Sequence, residues 1–306
     1  MWHLDKVFND LTIVAIPTRT NFRGVTVREA ALFRGPAGWS EFSPFIEYSD
    51  NESEGWLQAA LEGAYIPWPH LARDVIDINA TLPKVEIDQV PEILNRFPGA
   101  KTVKIKIDDF ENDSELVEAA LDFNPEFKVR LDVNGGWSLE AALLNLYNYH
   151  LRFGKVFEYI EQPCLDIADL KKLKKEIPMK IAVDESIRKY LGSDLTRLKE
   201  VADVAIIKWA PSGGFLSAFE VIEKIQLPVV ISSALDSSVG ISHGLSLAAS
   251  IPNLYGPCGL ATTALLEADV TSKPLIAENG YIKNRRIVPD LIEEFKVLPA
   301  RQSWWQ

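Results

Sequence analysis

From residue 100 onward, short runs rich in β-branched residues alternate at nearly even spacing with segments that have the apolar periodicity of helices. Six runs are predicted strands, residues 102–107, 128–134, 159–163, 180–186, 204–210 and 228–234. The predicted helices between them include 114–123, 138–151 and 167–177, with Ser114, Ser138 and Asp166 as candidate N-caps. This alternation is typical of βα units and a parallel sheet. Residues 77–82 and 259–263 lie where two further strands would fall, so an eight-stranded barrel is expected.

The two ends of the chain follow a different pattern. Residues 11–18 and 24–35 alternate apolar and polar side chains, which indicates an antiparallel sheet, and a helical stretch follows at 54–65. The tail resembles short strands and turns. The predicted fold is therefore α/β, a modified TIM-type (β/α) barrel at residues 75–267 under an α+β capping domain. We expect residues 1–74 to form that domain and the C-terminal tail, 268–306, to join it.

Composition narrows the range of partners. A formal net charge of −11 argues against binding to nucleic acid or to anionic membranes, since both require a basic surface. The first ten residues contain no apolar signal core, and no apolar run reaches the ~18 residues that a membrane span needs. We therefore expect a cytoplasmic protein. Cys164 and Cys258 are too few for a disulfide framework or a thiolate metal site, and we expect both to be small buried hydrophobes.

The predicted strand at 102–107 places Lys104 and Lys106 on one face and apolar residues on the other. An edge strand with its lysines in water would explain this strand alone. However, five consecutive predicted strands carry one charged residue at the same level near the carboxyl end, with 23 to 29 residues between successive positions. These residues are Lys106, Asp132, Glu161, Asp184 and Lys208. The carboxyl ends of barrel strands form the mouth where active sites lie.

The chemistry of these residues indicates a metal-assisted reaction. Carboxylates that converge from adjacent strands repel one another unless a cation offsets their charge, and oxygen ligands suit a hard divalent ion. We therefore expect Asp132, Glu161 and Asp184 to hold one Mg²⁺ ion. A lysine beside a cation and a second lysine has a lowered pKa, so it can act as a general base. Lys106 is the expected base, and Lys104 is expected to tune and orient it.

At these residues the chain resembles the enolase superfamily, in its muconate lactonising enzyme-like subgroup. The matching segments are Lys104-x-Lys106, LDVNGGW with Asp132, YIEQP with Glu161, AVDES with Asp184 and IIKWAPSGG with Lys208. Within the subgroup the likeness is greatest to the o-succinylbenzoate synthases. It includes FRGVTVREAALFRGPAGWSEFSPF near the start and VVISSALDSSVGISHGLSLAASIP after the seventh strand, so it covers nearly the whole chain.

The resemblance implies an enediolate intermediate stabilised by Mg²⁺. The implied reaction is dehydration of an anionic small molecule, 2-succinyl-6-hydroxy-2,4-cyclohexadiene-1-carboxylate, to 2-succinylbenzoate in menaquinone biosynthesis. It also implies that Lys106 removes the α-proton and that Lys208 stabilises the developing charge as a cation.

Other roles that the resemblance implies concern substrate binding and closure of the site. The segment from Ser232 to Ser238 is expected to hold the succinyl carboxylate, with Ser232, Ser233 and Ser237 as candidates. Arg23 is a further candidate, because a loop around Thr18 to Arg23 is expected to close the mouth. Asn134 is a candidate neighbour of the metal ligands.

Two other functional hypotheses stay open on these residues. An epimerase or racemase could use Lys106 and Lys208 as opposed bases. Dipeptide epimerases of the subgroup carry Asp-x-Asp on the last barrel strand, which GLATTALL lacks, but N-succinylamino acid racemisation shares the succinyl group. A non-enzymatic alternative is a catalytically silent barrel that only binds a ligand. The sequence does not indicate an oligomeric state.

Overall fold

The computed structural model describes residues 11–22, 24–191 and 193–305, and the centre of this described part is a curled parallel sheet of seven strands. Neighbouring strands follow the order of the chain. The strands are β5 (Ala80–Leu82), β6 (Thr102–Lys106), β7 (Lys128–Asp132), β8 (Phe157–Glu161), β9 (Ile181–Val183), β10 (Val204–Lys208) and β11 (Val229–Ser232). The predicted strand positions at 102–234 are thus confirmed.

The predicted eighth strand at 259–263 is wrong. Two residues close the sheet instead, since Cys258 forms a parallel bridge to Ile78 and Gly259 forms one to Ser232. The amide of Gly259 donates to the carbonyl of Ile231 at 2.8 Å. Immediately afterwards the chain turns into a short 3₁₀ helix, Thr262–Leu265, so no strand continues.

Helices cover the outer face of this sheet and bury its apolar side chains. They are α2 (Val90–Leu94), α3 (Phe110–Phe123), α4 (Leu139–Phe153), α5 (Ile167–Glu176), α6 (Glu185–Lys189), α7 (Phe215–Ile225) and α8 (Ser238–Ser250). Ser138 and Asp166 cap α4 and α5 as predicted. Ser114 is not a cap, because α3 begins four residues earlier, where the carboxylate of Asp109 accepts from the amide of Asn112. No helix within the described ranges combines the length and apolar character needed to cross a membrane.

The edge-strand explanation of Lys104 and Lys106 is also wrong. Strand β6 is hydrogen-bonded on both sides, to β5 and to β7. Val103 and Ile105 pack in the main core, whereas Lys104 is itself buried. The charged face of β6 therefore points into the barrel.

Arg130, the register partner of Lys104 on β7, occupies the interior of the barrel. Its guanidinium pairs with Glu158 at 2.6 Å, donates to Asn79 at 3.0 Å and lies 4.8 Å from the ring centroid of Tyr159. Arg130 is thus a structural ion-pair partner. Lys128, on the same strand, is exposed.

The cap consists of an antiparallel sheet and one long helix. Its elements are β1 (Thr12–Phe22), β2 (Val25–Gly35), β3 (Gly38–Phe42) and α1 (Asp50–Tyr65). A capping box between Ser49 and Glu52 begins α1. The expected loop from Thr18 to Arg23 is instead strand up to Phe22, because β1 and β2 pair again there after a register shift.

The C-terminal tail contacts both the barrel region and the cap. Strand β12 (Tyr281–Lys283) pairs with β4 (Val75–Asp77), and α9 (Ile292–Phe295) and α10 (Pro299–Trp305) follow. Lys296 bridges to Val14 of the cap, and the indole of Trp305 donates to Glu29 on β2 at 2.7 Å. The tail thus joins the cap as expected, while the domain boundaries at residues 74 and 267 stay predictions.

Carboxylates of the cap bind the amino-terminal ends of two barrel helices. Glu62 of α1 is buried, and its oxygens accept from the amides of Phe215 and Leu216 at the start of α7. Glu41 of β3 does the same at α8, where it accepts from the amides of Ser237 and Gly240. Helix amino termini carry unpaired N–H groups and partial positive charge, so these contacts attach the cap to the barrel.

We predict that Gly214→Ala destabilises the fold more than Gly24→Ala. Both glycines have positive φ, 103° and 82°, so either alanine should cost about 1–2 kcal/mol. At Gly214 the new Cβ would also lie 1.9 Å from the Glu62 carboxylate, whereas nothing lies within 4 Å at Gly24. The total at Gly214 should reach roughly 3 kcal/mol or more. Urea unfolding of both variants checks this, and equal losses would contradict it.

Candidate active site

The register of the parallel strands brings the predicted functional residues to one level. Lys106 pairs with Asp132 and Asp132 with Glu161 across β6, β7 and β8. Lys208 pairs with Ser232 across β10 and β11, and Asp184 directly follows β9. The side chains of Lys104, Lys106, Asp132, Glu161, Asp184 and Lys208 are between 0% and 14% exposed.

Lys104 lies between two of the carboxylates. Its ammonium nitrogen is 3.0 Å from Asp132 Oδ2 and 3.0 Å from Glu161 Oε1. Burial by itself lowers the pKa of Lys104, but Asp132 and Glu161 outweigh it and hold this pKa well above its usual range. Lys104 therefore stays a cation and is unsuited to proton abstraction.

Lys106 has the opposite electrostatic character. Burial lowers its pKa, Asp132 opposes that shift, and the nearby charge of Lys104 adds to the lowering. Its ammonium nitrogen donates to Asp132 at 2.5 Å and to Asn134 Oδ1 at 2.8 Å. A lysine with a lowered pKa, held by directional acceptors at a barrel mouth, has the properties of a general base.

Lys208 faces the third carboxylate, with its ammonium nitrogen 2.5 Å from Asp184 Oδ2. Burial raises the pKa of Asp184, but Lys208 and Arg188 outweigh it and lower the pKa overall. The amide of Asp184 donates to Gln162 Oε1 at 3.0 Å, as does the amide of Ser186. Gln162, from the YIEQP segment, thereby fixes the backbone that carries Asp184.

Of the three carboxylates, Glu161 has the least compensation of its negative charge by neighbouring cations. Burial, followed by repulsion from Asp132, raises the pKa of Glu161 to about 7, although Lys104 contacts it. The lysine is shared with Asp132, whose pKa is lowered because Lys104 and Lys106 together outweigh its burial. The contact between Lys104 and Glu161 therefore helps to keep the lysine protonated, but it does not bring enough positive charge to keep the glutamate fully ionised. One further cation would keep all three carboxylates ionised.

The donor set fits a hard divalent ion in its chemistry. Asp132, Glu161 and Asp184 supply buried oxygen donors from neighbouring strands, with a deficit of positive charge at Glu161. Among the residues described, no three acidic, cysteine or histidine side chains lie together as a ready metal site. Lysine ammonium groups contact each carboxylate, so a metal ion would have to displace them.

A cavity of about 30 Å³ adjoins the lysines, and we call it the mouth cavity. Two of its lining residues, Phe22 and Phe45, come from the cap, and Phe22 lies with its ring centroid 5.9 Å from the Lys106 ammonium. The barrel residues that line it are Thr81, Lys104, Lys106, Asn134, Lys208, Ser232, Ser233, Ala234, Leu235, Gly259 and Thr262. The cap thus covers the charged groups with aromatic rings.

A much larger groove, about 880 Å³, runs between α1 and helices α6 and α7. It includes Glu185 and Arg188 but none of the three lysines. Because the groups with catalytic chemistry converge on the mouth cavity, we assign the candidate site there despite its smaller volume.

The predicted substrate-binding residues differ in where they lie. Ser232 and Ser233 line the mouth cavity, and the Ser233 hydroxyl donates to the carbonyl of Gly259 at 2.9 Å. Ser237 is not among the lining residues, since its hydroxyl caps α8 and donates to Glu41 at 2.5 Å. A contact between Ser237 and substrate stays a prediction. Arg23 lies outside the described residues.

From the sequence we expect the segment from Thr18 to Arg23, which contains Phe22, to close the mouth, but the sequence did not identify Phe22, Phe45 or Thr262 individually as lining residues, nor Gln162 as a support for Asp184. Phe22 and Phe45 come from the cap and Thr262 follows the closing bridge, so none shares the strand register that revealed the lysines and carboxylates. Only Gln162 had a local signal, its place beside Glu161 in YIEQP.

Comparison with known proteins gives the family. Residues 13–64 match the family model described as Enolase N-terminal domain-like, and residues 92–290 match Enolase C-terminal domain-like. An o-succinylbenzoate synthase of Mycobacterium leprae (strain TN) is 42% identical over 99% of this chain and 91% of its own length. One of Mycobacterium marinum (strain ATCC BAA-535 / M) is 42% identical over 99% and 93%. This chain belongs to the enolase superfamily.

Solved structures of the enolase superfamily share the fold. A muconate lactonizing enzyme from Pseudomonas fluorescens matches with a TM-score of 0.76 at 17% identity, over 97% of both chains. An L-Ala-D/L-Glu epimerase from Bacillus subtilis matches with a TM-score of 0.74 at 21% identity, over 90% of this chain and 95% of its own. The capping domain and curled parallel sheet are therefore those of the superfamily.

We predict that the metal-free protein loses stability as pH rises from about 5 to 8. Burial, then a neighbouring carboxylate, raises the pKa of both Glu161 and Glu41 from 4.5 to about 7. A raised folded-state pKa means that the folded protein binds the proton more tightly. The stabilisation from each bound proton is complete below pH 4.5 and is lost as the pH rises through 7, on the order of 3 kcal/mol for each group.

Urea unfolding in chelator at several pH values measures this loss. Glu161→Gln and Glu41→Gln should each remove part of the pH dependence. Saturating Mg²⁺ should remove only the Glu161 part, since Glu41 lies at the cap–barrel junction. If the stability of both variants depended on pH in the same way as that of the unmodified protein, the prediction would be contradicted.

Proposed function

We propose that this protein is a Mg²⁺-dependent o-succinylbenzoate synthase, a lyase that dehydrates 2-succinyl-6-hydroxy-2,4-cyclohexadiene-1-carboxylate to 2-succinylbenzoate for menaquinone biosynthesis. The observation that carries the proposal is the convergence of Lys106 and Lys208 on one cavity beside three buried carboxylates. Relatives at 42% identity over nearly the whole chain support the choice of reaction.

Asp132, Glu161 and Asp184 are the proposed ligands of one Mg²⁺ ion. When bound, the ion would offset the negative charge that develops on the substrate carboxylate. The strand register positions Asp132 and Glu161 next to each other, and Gln162 holds the backbone of Asp184.

Lys106 is the proposed base and acid. Its neutral amine takes the proton from the carbon next to the substrate carboxylate, and the electron pair of that C–H bond enters the ring. The C–O bond to the ring hydroxyl then breaks, and Lys106 returns the proton to the departing oxygen. One water molecule leaves and the ring becomes aromatic, so Lys106 ends in its starting protonation state.

The two other lysines act as cations. Lys104 keeps its proton and, through its charge, holds the pKa of Lys106 down. Lys208 lies on β10, four strands along the sheet from the strand that carries Lys106, and it provides fixed positive charge to the same cavity. Three lysines at the mouth explain how an acidic chain could attract a dianionic substrate.

The remaining contacts concern the succinyl arm. We propose Ser232 and Ser233 as hydroxyl donors to its carboxylate, because both line the mouth cavity. Phe22 and Phe45 cover the ring and exclude water. Arg23, next to Phe22 in the chain, is a proposed further contact for the same carboxylate.

A second candidate function is racemisation of N-succinylamino acids. The observation that favours it is that Lys106 and Lys208 line the same cavity, so each could serve as base for one enantiomer. Dehydration needs only one of the two as a base, and we propose it as the principal activity.

One assay tests the proposed function. Purified protein with Mg²⁺ should convert the cyclohexadiene carboxylate to 2-succinylbenzoate, and excess chelator should abolish this activity. Full turnover in chelator would refute the role of the metal. Absence of both turnover and Mg²⁺ binding by calorimetry would instead favour a silent binding barrel.

We predict that Lys106→Arg lowers kcat for dehydration by about three orders of magnitude or more. A guanidinium keeps the charge but cannot be deprotonated near neutral pH, so base and acid are lost together. Lys128→Arg, on the exposed amino-terminal end of β7, is the matched control and should leave kcat unchanged. A near-normal rate in Lys106→Arg would assign the base to another residue.

We predict that Lys208→Arg retains measurable dehydration but no racemisation. A cation remains for the first reaction, whereas the second base needed for the other reaction is gone. The measurement is a pair of assays on this variant, together with solvent-deuterium exchange on an N-succinylamino acid by the unmodified protein. Racemisation faster than dehydration in the unmodified protein would make racemisation the principal function.

A further inference from the structure

Arg28 of β2 is a buried cation whose hydrogen bonds to the described residues all go to main-chain carbonyls. Its guanidinium donates to Leu235 at 3.0 Å and to Ala234 at 3.3 Å, both in the turn after β11. It also donates to Pro44 at 3.1 Å and to Ser43, in the segment after β3. One side chain of the cap thus joins two segments that are distant in sequence.

Both segments form part of the mouth cavity. Ala234 and Leu235 line it from the barrel, and Phe45 lines it from the cap. The Arg28 guanidinium also lies 4.6 Å from the centroid of the Phe45 ring, a cation–π distance. Arg28 itself does not line the cavity, so it can act on substrate only through these residues.

The turn that Arg28 binds is strained. Leu235 has φ of +61°, a left-handed conformation that is unfavourable for a side chain of this size. Arg28 holds the carbonyl of Leu235, and the carboxylate of Asp236 accepts from the amide of Ala234 at 3.1 Å. Such strain persists only where neighbouring contacts impose it, and it occurs often at functional sites.

The charge of Arg28 is offset within the protein. Burial lowers the pKa of Arg28, and the carboxylates of Asp236 and Glu41 oppose this shift most strongly, followed by that of Glu47. The N–H groups of the guanidinium therefore donate directional hydrogen bonds to carbonyls and do not serve an anionic ligand. A planar guanidinium can serve several acceptors at fixed angles, which a lysine cannot do.

We propose that Arg28 is a positioning residue, which holds the turn at Ala234–Leu235 and the ring of Phe45 as one wall of the mouth cavity. In this proposal the wall borders the succinyl arm of the ligand, because Ser232 and Ser233, the proposed donors to the carboxylate of that arm, line the same cavity. The inference rests on the proposed function for the identity of the ligand, while the clamp on the turn can be measured without it.

The first test is hydrogen–deuterium exchange on Arg28→Lys, with Arg73→Lys as the matched control. Arg73 also donates to two main-chain carbonyls, those of Ile251 and Pro252, but neither lines the cavity. Exchange in a peptide covering residues 229–238 should be about tenfold faster in Arg28→Lys, as expected for loss of charged hydrogen bonds, and unchanged in Arg73→Lys. Unchanged exchange in Arg28→Lys would overturn the proposal.

The second test compares two ligands by calorimetry in the presence of Mg²⁺. The Kd of 2-succinylbenzoate should rise about tenfold in Arg28→Lys, while that of benzoate, which lacks the arm, should change less than twofold. Equal losses for both ligands, or no loss for either, would overturn the positioning role. If the unmodified protein neither dehydrates the substrate nor binds 2-succinylbenzoate, the proposed function fails and the exchange result alone decides on Arg28.

A double variant separates positioning from stability. Glycine adopts positive φ readily, so Leu235→Gly in the Arg28→Lys background should restore part of the protection from exchange and part of the affinity. It should also fold if Arg28→Lys alone does not. Failure of both variants to fold would assign Arg28 to the stability of the whole chain and overturn the proposal.

Discussion

The structure depends on the burial of three lysines and three carboxylates near the carboxyl ends of the strands of a parallel sheet. Isolated buried charges are too costly to persist, so each must find partners, and strand register provides them. Lys106, Asp132 and Glu161 are register partners on adjacent strands, with Lys104 between the two carboxylates. Removing Asp132 would leave Lys106 without an ion-pair partner among the described residues, so the positions of the charged groups and the chemistry of the site depend on each other.

The same cluster divides the lysines by function. Lys104 contacts two carboxylates and keeps its proton, whereas Lys106 lies next to Lys104 and has a lowered pKa. Two identical side chains, two residues apart on one strand, thus acquire opposite acid–base properties from their neighbours. Glu161 is the carboxylate left short of positive charge, which is why the set is suited to one additional cation.

The cap completes the site by means of buried polar contacts with the barrel. Glu41 and Glu62 occupy the amino termini of α8 and α7, the helices that follow the strands carrying Ser232 and Lys208. Arg28 holds the turn between β11 and α8. Because helix amino termini after the last barrel strands often bind phosphate, their occupation by glutamates leaves the lysines as the cationic groups of the mouth cavity.

The sequence by itself determined the barrel class, the cap made from both ends of the chain and the level shared by Lys106, Asp132, Glu161, Asp184 and Lys208. These features follow from periodicity and even spacing, which are local properties of strands and helices. Only the tertiary structure decided that two residues rather than a strand close the sheet, that Ser237 binds Glu41 and that Arg28 clamps a strained turn. The bridge from Cys258 to Ile78, the Ser237–Glu41 bond and the Arg28–Leu235 bond each join residues at least 180 positions apart, and no periodic pattern encodes which distant groups will meet.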